Sequence, residues 1–226
     1  MLTIDTFEDT DKERLMYEDF SAEYSQDLFA LMFNDFKQNG YFVEVGACDG
    51  RGSNTFILEK YYGWQGILLE PNKDAFKNLE KHCIEYNRDR SILANVGAWQ
   101  YFSKDHVFYC DGDSWGTGTV KKKFAEDPKK IKVNLDSLDR ILKKYEAPNT
   151  IDYISIDAEH SEEKILKGLN LYDVKCISVE VAAENKEAVT KIMKKRGYVR
   201  VLEPFNYIDW WFVKQDIYDN FIERMK

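Results

Sequence analysis

The chain has 226 residues, 44% of them hydrophobic, and a formal net charge of -8, which suits one domain with a full core rather than two. Lysines are scattered among acids and the one basic cluster, Lys121-Lys122-Lys123, reads as a solvated loop, so no nucleic-acid surface is expected. Cys48, Cys83, Cys110 and Cys176 form no C-x-x-C pair and fit a reducing compartment, the acidic first twenty residues lack a signal-peptide core, and no apolar run spans a bilayer; the expectation is a soluble, cytoplasmic protein.

Residues 1–20 are highly charged and weakly periodic, and read as an arm. From Ser21 to Gly40, Leu28, Leu31, Met32 and Phe36 recur at helical spacing until Asn39-Gly40 stops the pattern. Ser25, Gln26 and Asp27 lie at the start of this helix, where polar groups can reach over the turn that follows the first strand.

That strand, residues 41–45, is short, apolar and β-branched, and it runs into Gly46-Ala47-Cys48-Asp49-Gly50-Arg51-Gly52. Ser53 or Asn54 opens a helix with Phe56, Ile57, Leu58 and Tyr61 on its apolar side, ending near Gly63, and residues 66–70 form a second strand that delivers Glu70. Glu70 follows the last glycine of the turn by about 20 residues, where a dinucleotide fold sets a carboxylate on a ribose diol. The spacing Glu44-x-Gly46-x-x-x-Gly50 is looser than a pyrophosphate fingerprint. Glu44 and Asp49 would repel a phosphate and favour a cationic ligand such as S-adenosylmethionine. The same pattern also serves a purely structural strand-turn-helix.

Pro71-Asn72 opens a helix to about Cys83, with Ala75, Phe76 and Leu79 inward. Residues 91–96 are a third strand that brings Asn95 to the same sheet edge, as a strand-end cap or as a ligand contact. Residues 100–131, rich in aromatics, glycine and lysine around Trp115, break the alternation and read as a lid or hairpin insertion at the ligand edge. A helix follows from Asp136, then a fourth strand, 151–157, delivering Asp157 into Ala158-Glu159-His160-Ser161-Glu162-Glu163. Glu162 and Glu163 suit a helix N-terminus, whereas Asp157 and Glu159, with His160, are candidate functional groups. A fifth strand, 175–181, carries Glu180. After a helix over 185–195, strands 198–202 and 209–213 are joined by so short a link that they must be antiparallel. An α/β fold follows, with a mostly parallel seven-stranded, Rossmann-like sheet and an antiparallel C-terminal edge hairpin, the plan of class I methyltransferases.

YSQD (24–27), GYFVEVGACDG (40–50), SNTFILEK (53–60), GWQGILLEPN (63–72), NLDSLDRIL (134–142), IDYISIDAEHSEEKILKG (151–168) and CISVE (176–180) occur in this order, and with them the chain resembles the FkbM family of S-adenosylmethionine-dependent methyltransferases. The resemblance implies an arm (1–20), a methyltransferase domain (21–214, with the lid at 100–131) and a tail (215–226). It implies that Gly46 and Gly50 shape the methionine side of the cofactor site, that Glu70 binds the ribose, and that Asp157 and Glu159 lie beside the transferred methyl. It also implies O-methylation of sugars, glycolipids or polyketide-type products. The cofactor candidates are Gln26, Glu44, Gly46, Ala47, Asp49, Gly50, Asn54, Glu70, Pro71, Asn72, Asn95 and Asp157, and the catalytic candidates are Asp157, Glu159 and His160. His160 replaces the glycine of the family's D-x-E-G-S-E turn and is expected to line the pocket. Asp157 and Glu180 end adjacent strands, but no metal-ligand set is complete. A cofactor-binding pseudoenzyme and a nicotinamide dehydrogenase are the rival readings; the glycine spacing and the hairpin weigh against the second.

Overall fold

The computed structural model describes residues 22–111, 118–120, 128–203 and 208–226; the arm, Trp115, the lysine cluster and the turn at 204–206 lie outside the described residues. In chain order the elements are α1 (Gln26–Phe33), β1 (Tyr41–Val45), α2 (Phe56–Tyr62), β2 (Gln65–Leu69), α3 (Lys73–Glu85), β3 (Ser91–Ala94), β4 (Gly97–Trp99), β5 (Ser103–Asp111), β6 (Gly118–Thr119), β7 (Pro128–Ser137), α4 (Leu138–Lys144), β8 (Thr150–Ile156), α5 (Glu162–Lys167), β9 (Asp173–Glu180), α6 (Lys186–Lys195), β10 (Tyr198–Val201), β11 (Asp209–Lys214) and α7 (Gln215–Arg224).

Seven strands form one sheet in the order β10-β11-β9-β8-β1-β2-β3. All neighbours are parallel except β11, which runs antiparallel to both β9 and β10. Helices cover both faces, so β1 and β2 are largely apolar at successive positions rather than at alternate ones. Val43, Val45, Ile67, Ile154 and Ile156 pack with α4, α5 and α6 on one face. Phe42, Leu68, Tyr153 and Trp211 pack with α1, α2 and α3 on the other. The direction of chain crossing reverses between β1 and β8, the place where open α/β sheets form a ligand crevice.

Local signals set most boundaries. Asn72 accepts from the backbone N of Asp74 at 3.0 Å and caps α3; Gly63 ends α2 with φ 67°. Three segments differ from the sequence expectation. α1 stops at Phe33, because Asp35 and Phe36 adopt left-handed φ values of 55° and 49°. β3 stops at Ala94, where Val96 N turns back onto the Ala94 carbonyl at 2.9 Å. Residues 215–224, read as a tail, form α7, whose buried Phe221 packs on Phe33 with ring centroids 4.5 Å apart.

The expected insertion is a second sheet, order β4-β7-β5-β6, with β4 parallel to β7 and the other pairs antiparallel. It carries its own apolar cluster of Trp99, Phe108, Cys110, Val133 and Leu135. No helix among the described residues is long and apolar enough to cross a membrane.

A buried polar network braces the turn after β1. Glu44 accepts from Ser53 Oγ (2.7 Å), from the backbone N of Asn54 (2.9 Å) and from Thr55 Oγ1. Behind it the Arg88 guanidinium donates to Ser53 (2.9 Å), Thr55 (3.0 Å) and Glu59 (2.9 Å), and the Arg88 and Glu59 side chains are only 0% and 3% exposed. Removing one member of such a pair leaves an uncompensated buried charge. Arg88→Met is expected to lower unfolding free energy by about 3–5 kcal/mol, and Arg88→Met with Glu59→Leu to recover much of that loss in the same denaturant titration; a single variant as stable as the parent would refute this role.

Candidate functional site

The site is built where β1 and β8 end. Gly46 has φ +87°, and a Cβ there would lie 1.8 Å from the Asp157 carbonyl oxygen. A side chain at this position is therefore excluded twice, by backbone conformation and by space. Asp157 N donates to the Val45 carbonyl at 3.0 Å, and Gly46 N and Ala47 N both donate to the Leu69 carbonyl at 3.0 Å. At the end of β2, the Glu70 carboxylate accepts from Cys48 N (3.0 Å) and Asn72 N (2.7 Å), tying the glycine turn to the turn that opens α3. Each of its oxygens keeps a lone pair for a further donor.

A cavity of about 290 Å³ opens between these turns and the second sheet. Of the sequence candidates, Glu44, Gly46, Ala47, Asn54, Glu70, Pro71, Asn72, Asp157 and Glu159 line it. Among the described residues, five lining carboxylates (Glu23, Glu44, Glu70, Asp157 and Glu159) face one lining guanidinium, that of Arg51. This balance suits a cation and repels phosphate. The opposite wall is apolar, from Trp99, Phe108, Val120 and Leu135 of and beside the second sheet.

Five candidates lie off this cavity. Asp49 accepts from Arg51 N at 3.1 Å and turns toward α3; Gly50 abuts α3, where a Cβ would lie 2.7 Å from His82 Nδ1. Asn95 spans the carbonyls of Glu70 (2.8 Å) and Pro71 (3.1 Å) and acts as the strand-end cap. Gln26 donates to Asp209 and lines a neighbouring polar cavity of about 240 Å³ with Asn54, Asp157 and Glu180. His160, expected in the pocket, points instead to Glu184, with Nδ1 2.8 Å from Oε1. It adopts a left-handed conformation, φ 71°, as does Glu159 at 45°.

The sequence reading missed Cys48, Ser53 and Ser161, which line the cavity between recognised positions, and the apolar wall. The aromatic insertion expected at the ligand edge and the placement of Gly97-Ala98-Trp99 just after β3 hinted at that wall. The pairing of Phe108 and Leu135 into one sheet has no local signature.

The acids at the sheet edge are crowded. Asp209 pairs in register with Glu180, and Ile156, just before Asp157, with Val179, so three carboxyl groups stand side by side. Asp157 opens onto the cavity but is ringed by protein, and this desolvation, with Glu180 beside it, holds its pKa well above the usual range. Burial likewise raises Glu180, Asp209 and Glu70 to about 7 each, the two backbone donors to Glu70 opposing it. An acid with a higher pKa in the fold than in the open chain binds its proton more tightly when folded. Its stabilising effect is complete below the ordinary values of 3.8 and 4.5 and is lost as pH rises through about 7. The ligand-free protein should therefore melt at a higher temperature at pH 5.5 than at pH 8, and Glu180→Gln should flatten that dependence. Equal midpoints at the two pH values would count against this cluster.

Comparison with known proteins follows the same lines. A methyltransferase FkbM from Methylobacillus flagellatus KT superposes with a TM-score of 0.52 at 14% identity over 77% of this chain, which spans only 43% of that protein. A precorrin-6y methyltransferase from Geobacter metallireducens GS-15 gives 0.46 at 12% identity, covering 77% of this chain and 71% of that one. TrmK of M. capricolum, solved with S-adenosyl-homocysteine, gives 0.45 at 11% identity, covering 82% and 66%. No curated protein matches. The first of these likenesses bears on the fold: a Rossmann-like class I methyltransferase sheet. Residues 44–200, well over half of the chain, match the family model described as the methyltransferase FkbM domain, and the chain belongs to that family.

Proposed function

We propose that this protein is an S-adenosylmethionine-dependent methyltransferase that methylates a hydroxyl oxygen of a sugar, glycan or natural-product-like acceptor. The observation that carries the cofactor reading is the division of charge-bearing groups in the cavity. Glu70, with its lone pairs free for a diol, stands at one end, and Asp157 and Glu159 stand at the other. The acceptor class rests on the family resemblance. All four cysteines are thiols, which agrees with a cytoplasmic location.

The cofactor supplies an electrophilic methyl on a sulfonium. In this reading Glu70 accepts from the ribose hydroxyls and Asp157 faces the cationic end, while the apolar wall of Trp99, Phe108, Val120 and Leu135 excludes water from the opposite side. Glu159, one step farther along the turn, receives the acceptor's proton. In this reading His160, which is turned to Glu184, takes no part in that transfer.

Glu70→Ala should weaken S-adenosylmethionine binding by about 1–3 kcal/mol in a calorimetric titration, through loss of charge-assisted hydrogen bonds. Tight binding of NAD by the parent, or unaltered affinity in the variant, would refute the cofactor assignment. With an acceptor drawn from a panel of hydroxylated sugars, Glu159→Gln should lower turnover about 10²–10⁴-fold, the range for a removed general base. His160→Ala should stay within about threefold of the parent, since a residue outside the reacting shell removes no transition-state contact; the reverse ranking would make His160 the base.

A further inference from the structure

The acidic turn is backbone-strained. Glu159 and His160, both with side chains, occupy the left-handed region in succession, at φ 45° and 71°. Such conformations persist only where neighbours hold them. Glu184 holds the His160 side. On the Glu159 side the holder comes from the second sheet, where the hydroxyl of Thr119 donates to the Glu159 carbonyl at 2.9 Å across 40 positions of sequence.

Thr119 is itself fixed. It is 4% exposed and pairs with Tyr109 of β5. Its neighbour Gly118 lies on the Phe108 ring so closely that a Cβ would be 2.2 Å from Cε1. β6 therefore cannot slide without displacing Phe108, a wall of the cavity. The hydroxyl joins two parts of the site that the sequence keeps apart, the apolar wall and the turn that presents Glu159 and Asp157.

We infer that Thr119 is a positioning residue for charge recognition: its hydrogen bond fixes the Glu159 turn against the cavity, so that the site prefers a sulfonium ligand to the neutral thioether left after methyl transfer. The inference rests on the cofactor reading above, and its tests separate the two.

S-Adenosylmethionine and S-adenosylhomocysteine are titrated into the parent, Thr119→Val and Thr119→Ser. Thr119→Val, which keeps shape and strand preference but not the donor, should weaken the charged ligand about three- to tenfold and leave the neutral one within about twofold, as expected for a displaced charge at a partly screened site. Thr119→Ser, which keeps the hydroxyl, should behave as the parent does. Asp157→Asn, at the other end of the same turn, should show the same selective loss, and adding Thr119→Val to it should change little more, because the two act on one contact. Equal weakening of both ligands, or equal damage by Ser and Val, would overturn the inference and leave a merely structural residue.

Hydrogen exchange supplies an arm that needs no ligand. The amides of residues 158–161 should exchange faster in Thr119→Val than in the parent or in Thr119→Ser, with β1 and β2 unaltered. Unchanged exchange there overturns the clamp. If the parent binds neither ligand, the proposed function fails and the charge-recognition role fails with it, and the exchange result decides whether the clamp exists. Should Thr119→Val not fold, Thr119→Ala takes its place in both arms.

Discussion

The close approach of Gly46 to the Asp157 carbonyl sets the geometry of everything around it. β1 and β8 are neighbours in the sheet, and their ends must meet without an intervening side chain; a Cβ at Gly46 would lie 1.8 Å from that oxygen. This contact puts the glycine turn and the acidic turn on the two lips of one crevice. It lies where the chain reverses its direction of crossing, so that the helices following β1 and β8 diverge to opposite faces and leave the strand ends open. Neither turn has a ligand-binding shape alone.

Two polar systems then hold these lips with opposite electrostatic logic. Around Glu44 the charges are compensated: Ser53, Asn54 and Thr55 donate to it, and Arg88, paired with Glu59, donates to the same hydroxyls from behind. That network is closed, and its natural role is to keep the turn rigid. Around Asp157 they are not, since Glu180 and Asp209 add like charge and Gln26 supplies a neutral donor to Asp209. An uncompensated group of acids destabilises an empty fold as pH rises, and it is tolerated at places where a cationic ligand completes it. Burial does not make this distinction, because Glu44 and Asp209 are both almost fully buried.

The second sheet turns an open crevice into a cavity. Its strands β4 and β7 pair in parallel, joining Gly97 to Leu135 and Trp99 to Ser137, so the segment leaving β3 and the segment entering α4 are locked together beside Glu70. The cavity's apolar wall hangs on that pairing. The sheet reaches the acidic turn through Thr119, so that the apolar wall and the acidic turn are joined by a hydrogen bond.

Much of this was legible in the sequence. β1 and β2 announce themselves as short β-branched runs bounded by glycine, Glu70 follows the glycine turn at a spacing that brings it to the same sheet edge, and the brief link between β10 and β11 requires an antiparallel pair; each is a local pattern with a local cause. The ordered motifs likewise pointed to Asp157 and Glu159. What tertiary structure alone decided were the directions and partners of side chains at irregular backbone. Asn95, at the end of β3, turned to cap the end of the neighbouring β2, and Asp49 and Gly50 turned toward α3. His160 swung to Glu184, because a left-handed residue aims its side chain by what lies across the fold. Residues 97–99 left β3 to join a strand nearly forty positions away. Periodicity records which face of an element is buried, and it carries no information about which distant segment will bury it.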